Sequence, residues 1–404
     1  MEQIFTNQFS LQGNFQTGKI KHQLFTGIDS EKSHADAYTY TFKPIVYDTI
    51  NIYNVDLNTQ KTDIPTAFTS RIVKTETSRY GVYLQDLISF TEKFKVLAGI
   101  RYSTQETKPI TTNFNPTDNT STTVPEAIRN DRAFSPKLGL IYQPNKSTTF
   151  FTSYANSFTP NTGVTIYNES LKPSMIDQYE AGIKKEFWKG VLSTAITIHH
   201  INIRKGILST NLTVYQIVNS NLAQMAQFNL DGSVNTISTV RELTGETTSK
   251  GVEIDIIVRP IDALNIMAGY SYNNMEYTKT TGAAGSFIEG DRLVRTPQNT
   301  ANLSAFYTIP SGKFKGIAFG TIANYIGERL GGFNNTNGQT IPDRTIPLSG
   351  YTTIDVSIGY TWKRFSILSK LSNITNELNY TVHENYSVNP IAPRQILTSL
   401  KYKF

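Results

Sequence analysis

One short acidic stretch combines residue types that can bind a hard cation. Three carboxylates and one imidazole occur close together, at Asp29, Glu31, His34 and Asp36. Carboxylate oxygens with an imidazole nitrogen could hold a divalent metal. The stretch runs from a strand-like segment into a long polar segment, where charged side chains are normally solvated. We therefore interpret it as a solvated charged surface, and we expect no metal site there.

Groups that could carry out catalysis are few. The chain has five His and no Cys, which excludes Cys nucleophiles, thiolate metal sites and disulfides. His199 and His200 are adjacent on a strand-like segment, so they point to opposite faces and cannot bind one metal from the same side. A hydrolase would need a nucleophile, a base and an orienting group that converge, and no recognisable motif of this kind or Gly-rich phosphate loop occurs. We expect no enzyme activity and no cofactor.

The composition narrows the class of protein. Only 17% of the residues are charged, and the net charge of +6 is spread along the chain. No basic block carries interleaved aromatic residues, so we expect no nucleic-acid partner. A soluble protein of 404 residues normally divides into two or more domains and carries more charge on its surface. No run of 18 apolar residues predicts a membrane-spanning helix.

Apolar residues alternate with polar ones along several segments. One segment places Val252, Ile254, Ile256 and Val258 on one face, opposite Gly251, Glu253, Asp255 and Arg259. The last segment places Ile396, Thr398, Leu400, Tyr402 and Phe404 on one face. A final strand that ends on an exposed aromatic residue is typical of a transmembrane β-barrel. A soluble β-sandwich gives the same period of two, so alternation alone leaves both folds open.

The lengths of the connections favour the barrel. We predict 15 strands: Phe5–Phe15, Ile20–Asp29, Thr77–Phe90, Phe94–Tyr102, Phe134–Gln143, Thr148–Phe158, Ile176–Phe187, Val191–Ile203, Lys250–Arg259, Leu264–Tyr277, Gln298–Tyr307, Ile317–Ile326, Tyr351–Thr361, Phe365–Asn373 and Ile396–Phe404. Short turns join them in pairs, and long polar segments separate the pairs, at 30–76, 103–133, 159–175, 204–249, 278–297, 327–350 and 374–395. Bacterial outer-membrane barrels have short periplasmic turns, long extracellular loops and an even number of strands. An odd count therefore means that one strand is missed, or that the chain is the C-terminal part of a larger barrel.

Six short motifs occur in order along roughly residues 5–404. They are Tyr80–Asp86 with Leu97–Tyr102, Phe134–Leu140 with Tyr154–Pro160, Tyr179–Lys184, Ser249–Ile254, Arg295–Pro297 before Asn302-Leu303, and Leu371–Asn376. In this order they resemble the motifs of TonB-dependent outer-membrane siderophore receptors. The opening of the chain, Phe15–Ile20 with Thr26–Asp29 and Asn51–Asn54, is most similar to the ferrichrome-type hydroxamate receptors.

The resemblance implies an all-β fold, an antiparallel transmembrane β-barrel with about 15 strands of a 22-stranded barrel. Residues 1–404 would form the C-terminal part of the barrel domain, without the N-terminal plug, the TonB box and the signal peptide. The implied function is uptake of ferric siderophores at the outer membrane of a Gram-negative bacterium, energised through TonB. Expected partners are a ferric siderophore, the TonB complex through the missing N-terminal region, and outer-membrane lipid. We expect a monomer.

The resemblance also implies a role for the aromatic residues of the long segments, because hydroxamate receptors hold an uncharged chelate with rings that offer apolar area and phenolic donors. We predict ligand contacts from Tyr38, Tyr40, Tyr47, Tyr53, Phe158 and Tyr386, with Tyr386 and Phe158 at positions that match aromatic residues of the family's mouth. For each ring the alternative is packing within a loop or at a membrane interface. Two other functions stay open: TonB-dependent import of another bulky ligand, such as a cobalamin or a glycan, and a non-transporting barrel or adhesin.

Overall fold

The architecture is a series of β-strands. The computed structural model describes residues 2–43, 66–115, 120–188, 207–226, 228–229, 231–233, 235, 240–280, 288–333, 345–383 and 387–403. The strands are β1 (Glu2–Thr17), β2 (Ile20–Lys43), β3 (Thr66–Ser89), β4 (Phe94–Phe114), β5 (Ser121–Pro125), β6 (Arg129–Asn145), β7 (Thr148–Thr159), β8 (Ser174–Trp188), β9 (Ile207–Met225), β10 (Arg241–Ile261), β11 (Leu264–Lys279), β12 (Asn299–Thr308), β13 (Ile317–Ile326), β14 (Arg329–Phe333), β15 (Thr345–Leu348), β16 (Tyr351–Trp362), β17 (Phe365–Ser372), β18 (Tyr380–His383), β19 (Ser387–Pro390) and β20 (Gln395–Tyr402). Among the described residues, no helix is long and apolar enough to cross a membrane.

Most strands belong to one antiparallel sheet. In the described part of the chain the sheet has 16 strands, of which 15 follow the order β1-β2-β3-β4-β6-β7-β8-β9-β10-β11-β12-β13-β16-β17-β20, while β5 pairs with β4. Two separate hairpins, β14–β15 and β18–β19, lie outside this order. Within the described residues, β1 and β20 each pair on one side only. The all-β antiparallel fold is confirmed, and the sheet of 16 strands in the described residues is close to the predicted number of about 15.

Several strands extend far beyond the predicted ends. β2 and β3 have 24 residues each, and β4 has 21. The prediction of loops over all of 30–76 and 103–133 was therefore wrong, since much of both segments is strand. The physical reason is that both faces of these outer portions are polar or mixed. The backbone hydrogen-bond ladder continues there without the apolar alternation by which strands are recognised in sequence.

The predicted loop at 204–249 was wrong in the same way, because it contains β9 and the first residues of β10. The predicted strand Val191–Ile203 lies outside the described residues. Segments 327–350 and 374–395 contain the hairpins β14–β15 and β18–β19. Hairpins of four or five residues per strand are too short for a period of two to be visible in sequence.

The chain divides into two compact units. Unit 1 comprises Met1–Asn14, Gln23–Asp86 and Gly99–Ser135, and unit 2 comprises Phe15–His22, Leu87–Ala98 and Pro136–Phe404. Unit 1 contains most of β1 to β5. Unit 2 contains the strands from β7 to β20 and both separate hairpins. The described short turns of the whole chain, including the turn between β1 and β2 and the turn between β3 and β4, also belong to unit 2.

The strands of unit 2 leave an apolar face uncovered. Val252 of β10 lies opposite Val214 of β9 and Tyr272 of β11, and Ile254 lies opposite Leu212 and Tyr270. Five of these six side chains are exposed, and the sixth, Val252, is half-buried, which a packed sandwich core would not allow. The buried hydrophobic residues of the described chain are only Ala133, Leu171, Ala226 and Tyr277. The apolar face therefore requires an apolar surrounding medium, as a transmembrane barrel has.

The same face continues to the last strand. Ile317, Tyr360, Ile367 and Leu400 lie opposite one another in turn across β13, β16, β17 and β20. One rung nearer the short turns, Trp362 pairs with Phe365 and Phe365 pairs with Tyr402. The rings of Phe365 and Tyr402 are 4.8 Å apart between centroids. Aromatic rings gathered at the end of an apolar band are the interfacial girdle expected of a membrane barrel.

Candidate functional site

The long connections of unit 2 are tied together by buried polar side chains. Arg329, at the start of β14, is 6% exposed. Its guanidinium donates to the carbonyl of Ser349 at 3.1 Å, to Asn379 Oδ1 at 2.9 Å and to the carbonyl of Tyr380. It also lies 5.2 Å from the centre of the Tyr351 ring. This set, the Arg329 cluster (Arg329, Ser349, Tyr351, Asn379 and Tyr380), joins the hairpin β14–β15 to the hairpin β18–β19.

Asn373 fixes the start of the last long connection. It is 3% exposed and has φ 48°, a left-handed conformation that Asn tolerates. Its side-chain amide donates to the carbonyls of Glu377 and Ala392, each at 3.0 Å, and its Oδ1 accepts from the Glu377 N–H at 2.8 Å. Its own N–H donates to Asp355 Oδ1 at 2.9 Å. The Asn373 side chain therefore ties the two ends of the connection after β17 together, while the N–H groups of Asn373 and Ile374 hold its start against β16.

A second cluster joins the connection after β7 to β9. Asn161 Nδ2 donates to Ser174 Oγ at 3.0 Å, to the Lys172 carbonyl at 2.9 Å and to the Asn221 carbonyl at 3.2 Å. Ser174 is 2% exposed and donates to the same Asn221 carbonyl at 2.8 Å. We call these four residues the Asn161 cluster. Within the described residues, each cluster thus ties part of a long connection to a neighbouring strand or hairpin.

Phe158 lies at the outer end of β7, three residues before Asn161. β7 and β8 pair without a register shift from Thr148 to Thr159, and Phe158 lies opposite Met175. Alternation then places Phe158 on the same face as Phe150 and Tyr154. Phe150 is exposed, so this is the apolar outer face of the sheet. The register thus gives Phe158 the position of an interfacial ring, and its contact with a ligand stays a prediction.

Two of the other predicted ligand residues come together in unit 1. Tyr38 and Tyr40 lie two positions apart on β2, both exposed, with ring centroids 6.4 Å apart and planes inclined by 16°. They present a small stacked aromatic surface near the outer end of the strand. Tyr47, Tyr53 and Tyr386 lie outside the described residues.

The carboxylates of the acidic stretch contact basic side chains. Arg101 forms an ion pair with Asp29 and Arg79 forms one with Glu31, while His34 Nε2 lies 3.0 Å from Asp36 Oδ1. The first is bidentate, with both oxygens of Asp29 2.7 Å from the guanidinium nitrogens. Among the described residues, no group of three or more His, Asp or Glu side chains is placed to hold a metal. The carboxylates of Asp29 and Glu31 thus serve to connect β2 with β3 and β4.

Gly81 of β3 makes room for the Asp29–Arg101 pair. A Cβ at this position would overlap Arg101 Nη2 and would lie 2.8 Å from Asp29 Oδ1. Because Gly81 has no side chain, the guanidinium can cross β3 to reach β2. The Tyr80-Gly81-Val82-Tyr83 motif therefore carries a packing requirement that its resemblance to a family pattern does not reveal.

Unit 2 also contains an open cavity of about 620 Å³. Its lining is mixed: polar side chains come from Thr149, Lys184, Asn211, Asp255 and Asn302, and apolar ones from Ile141, Phe151, Ile256, Ile257, Met267 and Ala268. These residues lie inside the strands rather than in the long connections.

Comparison with known proteins agrees with this architecture. The family model described as "TonB dependent receptor-like, beta-barrel" matches residues 2–376. The chain belongs to this family. A TonB-dependent receptor barrel lies in the outer membrane of a Gram-negative bacterium, and this barrel has that location.

Individual relatives are distant but cover nearly all of the chain. The chain is 25% identical over 98% of its length to the metal-pseudopaline receptor of Pseudomonas aeruginosa, and covers 51% of that protein. It is 24% identical over its whole length to the ferrichrome outer membrane transporter/phage receptor of Escherichia coli, and covers 48% of it. The structure of the ferric preacinetobactin receptor of Acinetobacter baumannii matches with a TM-score of 0.73 at 20% identity, over 100% of this chain and 54% of the other. The chain therefore spans about half the length of the curated relatives it matches.

The residues that order the long connections of this TonB-dependent receptor barrel were missed in the sequence. Arg329 lies in a segment that was predicted as a loop, and a single Arg in a polar segment gives no signal of burial. For Asn373 and Asn376 the residue type itself was a signal that was not used. Asn is one of the few residues that tolerates positive φ, and both residues have a positive φ. The motif Leu371–Asn376 was recognised, but its role in fixing a loop was not.

Proposed function

We propose that this barrel is part of a receptor that imports ferric siderophores across the outer membrane, with energy supplied through the TonB complex. The observation that carries the proposal is the family match over residues 2–376. It is supported by relatives that are named as receptors for metal-pseudopaline and as a ferrichrome transporter.

The geometry is consistent with a ligand that brings its own metal coordination. The carboxylates of Asp29 and Glu31 are engaged by Arg101 and Arg79, so they are not arranged around an empty centre. A chelated ferric ion needs a mouth that offers apolar area and hydrogen-bond donors, which exposed Tyr residues provide. The stacked pair of Tyr38 and Tyr40 has this character.

We propose ligand contacts from Tyr38, Tyr40, Tyr47, Tyr53 and Tyr386, with a hydroxamate chelate as the class of ligand. A ligand contact from Phe158 has less support, because the register of β7 on β8 places this ring on the outer apolar face. The apolar face that includes Ile254 and Leu212 contacts membrane lipid, and the short turns face the periplasm.

The domain organisation is also a proposal. Residues 1–404 correspond to the C-terminal part of the barrel domain of a longer receptor, in which further barrel strands, a plug and a TonB box complete the transporter. Support comes from the relatives, since this chain matches about half of each one's length. The open cavity lined by Lys184 and Asp255 together with apolar side chains is a surface against which a plug could pack.

Binding of ferric hydroxamates to the complete receptor tests the proposal. Wild-type protein should bind and import at least one ferric siderophore, and Tyr386→Ala should weaken binding by roughly ten- to a hundredfold, as loss of a buried aromatic contact does. His199→Ala is the matched control and should keep wild-type affinity, while Phe158→Ala should have a smaller effect than Tyr386→Ala. A folded receptor that neither binds nor imports any ferric chelate would exclude the function, whereas unchanged binding in Tyr386→Ala would exclude only that contact.

A further inference from the structure

The turn between β12 and β13 is the longest of the short turns in the described residues, and backbone hydrogen bonds fix its ends. Ile309 N–H donates to the Ile317 carbonyl and Gly316 N–H donates to the Ile309 carbonyl, each at 2.9 Å. Gly316 has φ 90°, and a Cβ there would lie 3.6 Å from the Tyr360 ring, so the turn lies against β16. This arrangement holds Phe314 60% exposed. An ordered turn that presents a bare aromatic ring is suited to contact an apolar partner.

The exposed ring borders a groove of about 440 Å³ on the outer face of unit 2. The side chains that matter for its character are Lys313, Phe314, Ile317, Ile358, Tyr360 and Ile367. Ile317 lies opposite Tyr360, which lies opposite Ile367, so the groove crosses β13, β16 and β17 on the apolar face. The floor of the groove is aliphatic and aromatic, and the Lys313 side chain lies at its edge.

Further cations lie on the turn that bears Lys313 and on the adjacent turn. Lys315 is on the same turn, and Lys363 and Arg364 form the adjacent turn between β16 and β17. All four side chains are exposed. Lys363 Nζ lies 5.1 Å from the Trp362 ring, which holds the ammonium group at the level of the interfacial aromatics. Neither turn contains Asp or Glu, so the positive charge at this end of the groove is not balanced within them.

We propose that this groove is a binding site for an anionic glycerophospholipid of the periplasmic leaflet. Short turns of outer-membrane barrels face the periplasm, which places the groove in that leaflet and its cationic edge at the depth of the headgroups. The phosphate contacts Lys313, Lys363 and Arg364, and an acyl chain lies along Ile317, Ile358 and Ile367. Clustered Lys and Arg at a membrane surface select anionic lipid, and the apolar floor binds the chain. The proposal rests on the outer-membrane location and not on the identity of the imported ligand.

The test is native mass spectrometry of the complete receptor, purified in detergent and titrated with dioleoylphosphatidylglycerol, dioleoylphosphatidylcholine or sn-glycerol 3-phosphate. The variant Lys313→Gln/Lys363→Gln/Arg364→Gln removes three charges at the groove. The variant Lys19→Gln/Lys93→Gln/Lys146→Gln removes three exposed charges at other short turns and is the matched control. Phe314→Ala removes the apolar wall without changing charge.

Wild-type receptor should retain one phosphatidylglycerol tightly, with phosphatidylcholine and glycerol phosphate at least about tenfold weaker. The groove variant should lose at least about tenfold in phosphatidylglycerol affinity, the charge control less than twofold, and Phe314→Ala should weaken both lipids. Equal losses in the groove variant and the control would show unspecific attraction to basic turns and overturn the site. Equal retention of both lipids by the wild type would show nonspecific lipid binding to an apolar face, and this result would also overturn the proposed site. Heat-dependent gel mobility confirms that each variant is folded before it is compared.

Discussion

Replacing Arg329 should release two hairpins at once. Arg329→Met keeps a long side chain but removes all the hydrogen-bond donors of the guanidinium. The carbonyls of Ser349 and Tyr380 and the amide oxygen of Asn379 would lose their cationic donor. Since Arg329 bonds to both hairpins, we expect β14–β15 and β18–β19 to open together rather than separately.

The size of the effect follows from the number of bonds lost. Each hydrogen bond from a charged donor contributes about 1.5–3 kcal/mol, and the stacking on Tyr351 contributes about 1 kcal/mol. Water entering the opened site recovers part of this, so we take about 3 kcal/mol as the net cost of removing Arg329. A cost of this size increases the population of the open state by roughly 100-fold.

Hydrogen exchange read out by mass spectrometry measures this opening directly. Backbone amides of residues 329–333 and 380–383 should exchange roughly 100-fold faster in Arg329→Met, while β10 and β11 keep wild-type rates. Arg329→Lys should show a partial effect, because one ammonium cannot reach all three acceptors. Arg259→Met is the control, since Arg259 is exposed and bonds to one side chain, Asn265 Oδ1 at 2.6 Å. If only β14–β15 exchanged faster, Arg329 would not join the hairpins and the reasoning would be refuted.

Three further outcomes are expected. Gly81→Ala should displace Arg101 from Asp29 and destabilise the protein by about 1 kcal/mol, measured as a lower denaturation midpoint. Gly13→Ala should not, because nothing lies within 4 Å of a Cβ there, and equal midpoints for both variants would contradict the packing explanation. Asn373→Ala should leave the strands intact but make the last long connection more sensitive to limited proteolysis; unchanged cleavage would show that other contacts hold it. The 404-residue chain alone should not give heat-resistant, gel-shifted monomers in detergent, because β1 and β20 each lack a partner on one side among the described residues; such monomers would disprove this.

The membrane-spanning part of the fold was predictable because burial in lipid imposes a strict pattern. The face that contains Val252 and Ile254 shows the alternation in sequence, and the register with β9 and β11 confirms it. The strand portions beyond that apolar band have no such pattern. Thr107 and Thr111 of β4 are buried in such a portion although both are polar. Their residue type therefore does not distinguish these strand positions from loop residues.

The candidate site was predictable only in part, because its order depends on contacts between distant residues. Asn161 and Asn221 are 60 positions apart, and Arg329 and Tyr380 are 51 apart. Asn161 and Arg329 have polar neighbours in sequence that resemble any surface loop. The aromatic residues could be nominated individually, but the outward placement of Phe158 follows only from the register of β7 on β8.

The length of β2 has a consequence for how a solute first meets the receptor. A strand of 24 residues is roughly 80 Å long, whereas a tilted strand crosses the hydrocarbon layer in about ten residues. At the same tilt, Tyr38 and Tyr40 stand roughly 20 Å beyond that layer. A molecule that diffuses toward the membrane therefore meets these rings before it reaches the plane of the lipid headgroups. Under the proposed function, capture of a ligand at these rings and its passage through the barrel would be separate events in space, and each would limit the rate of uptake on its own.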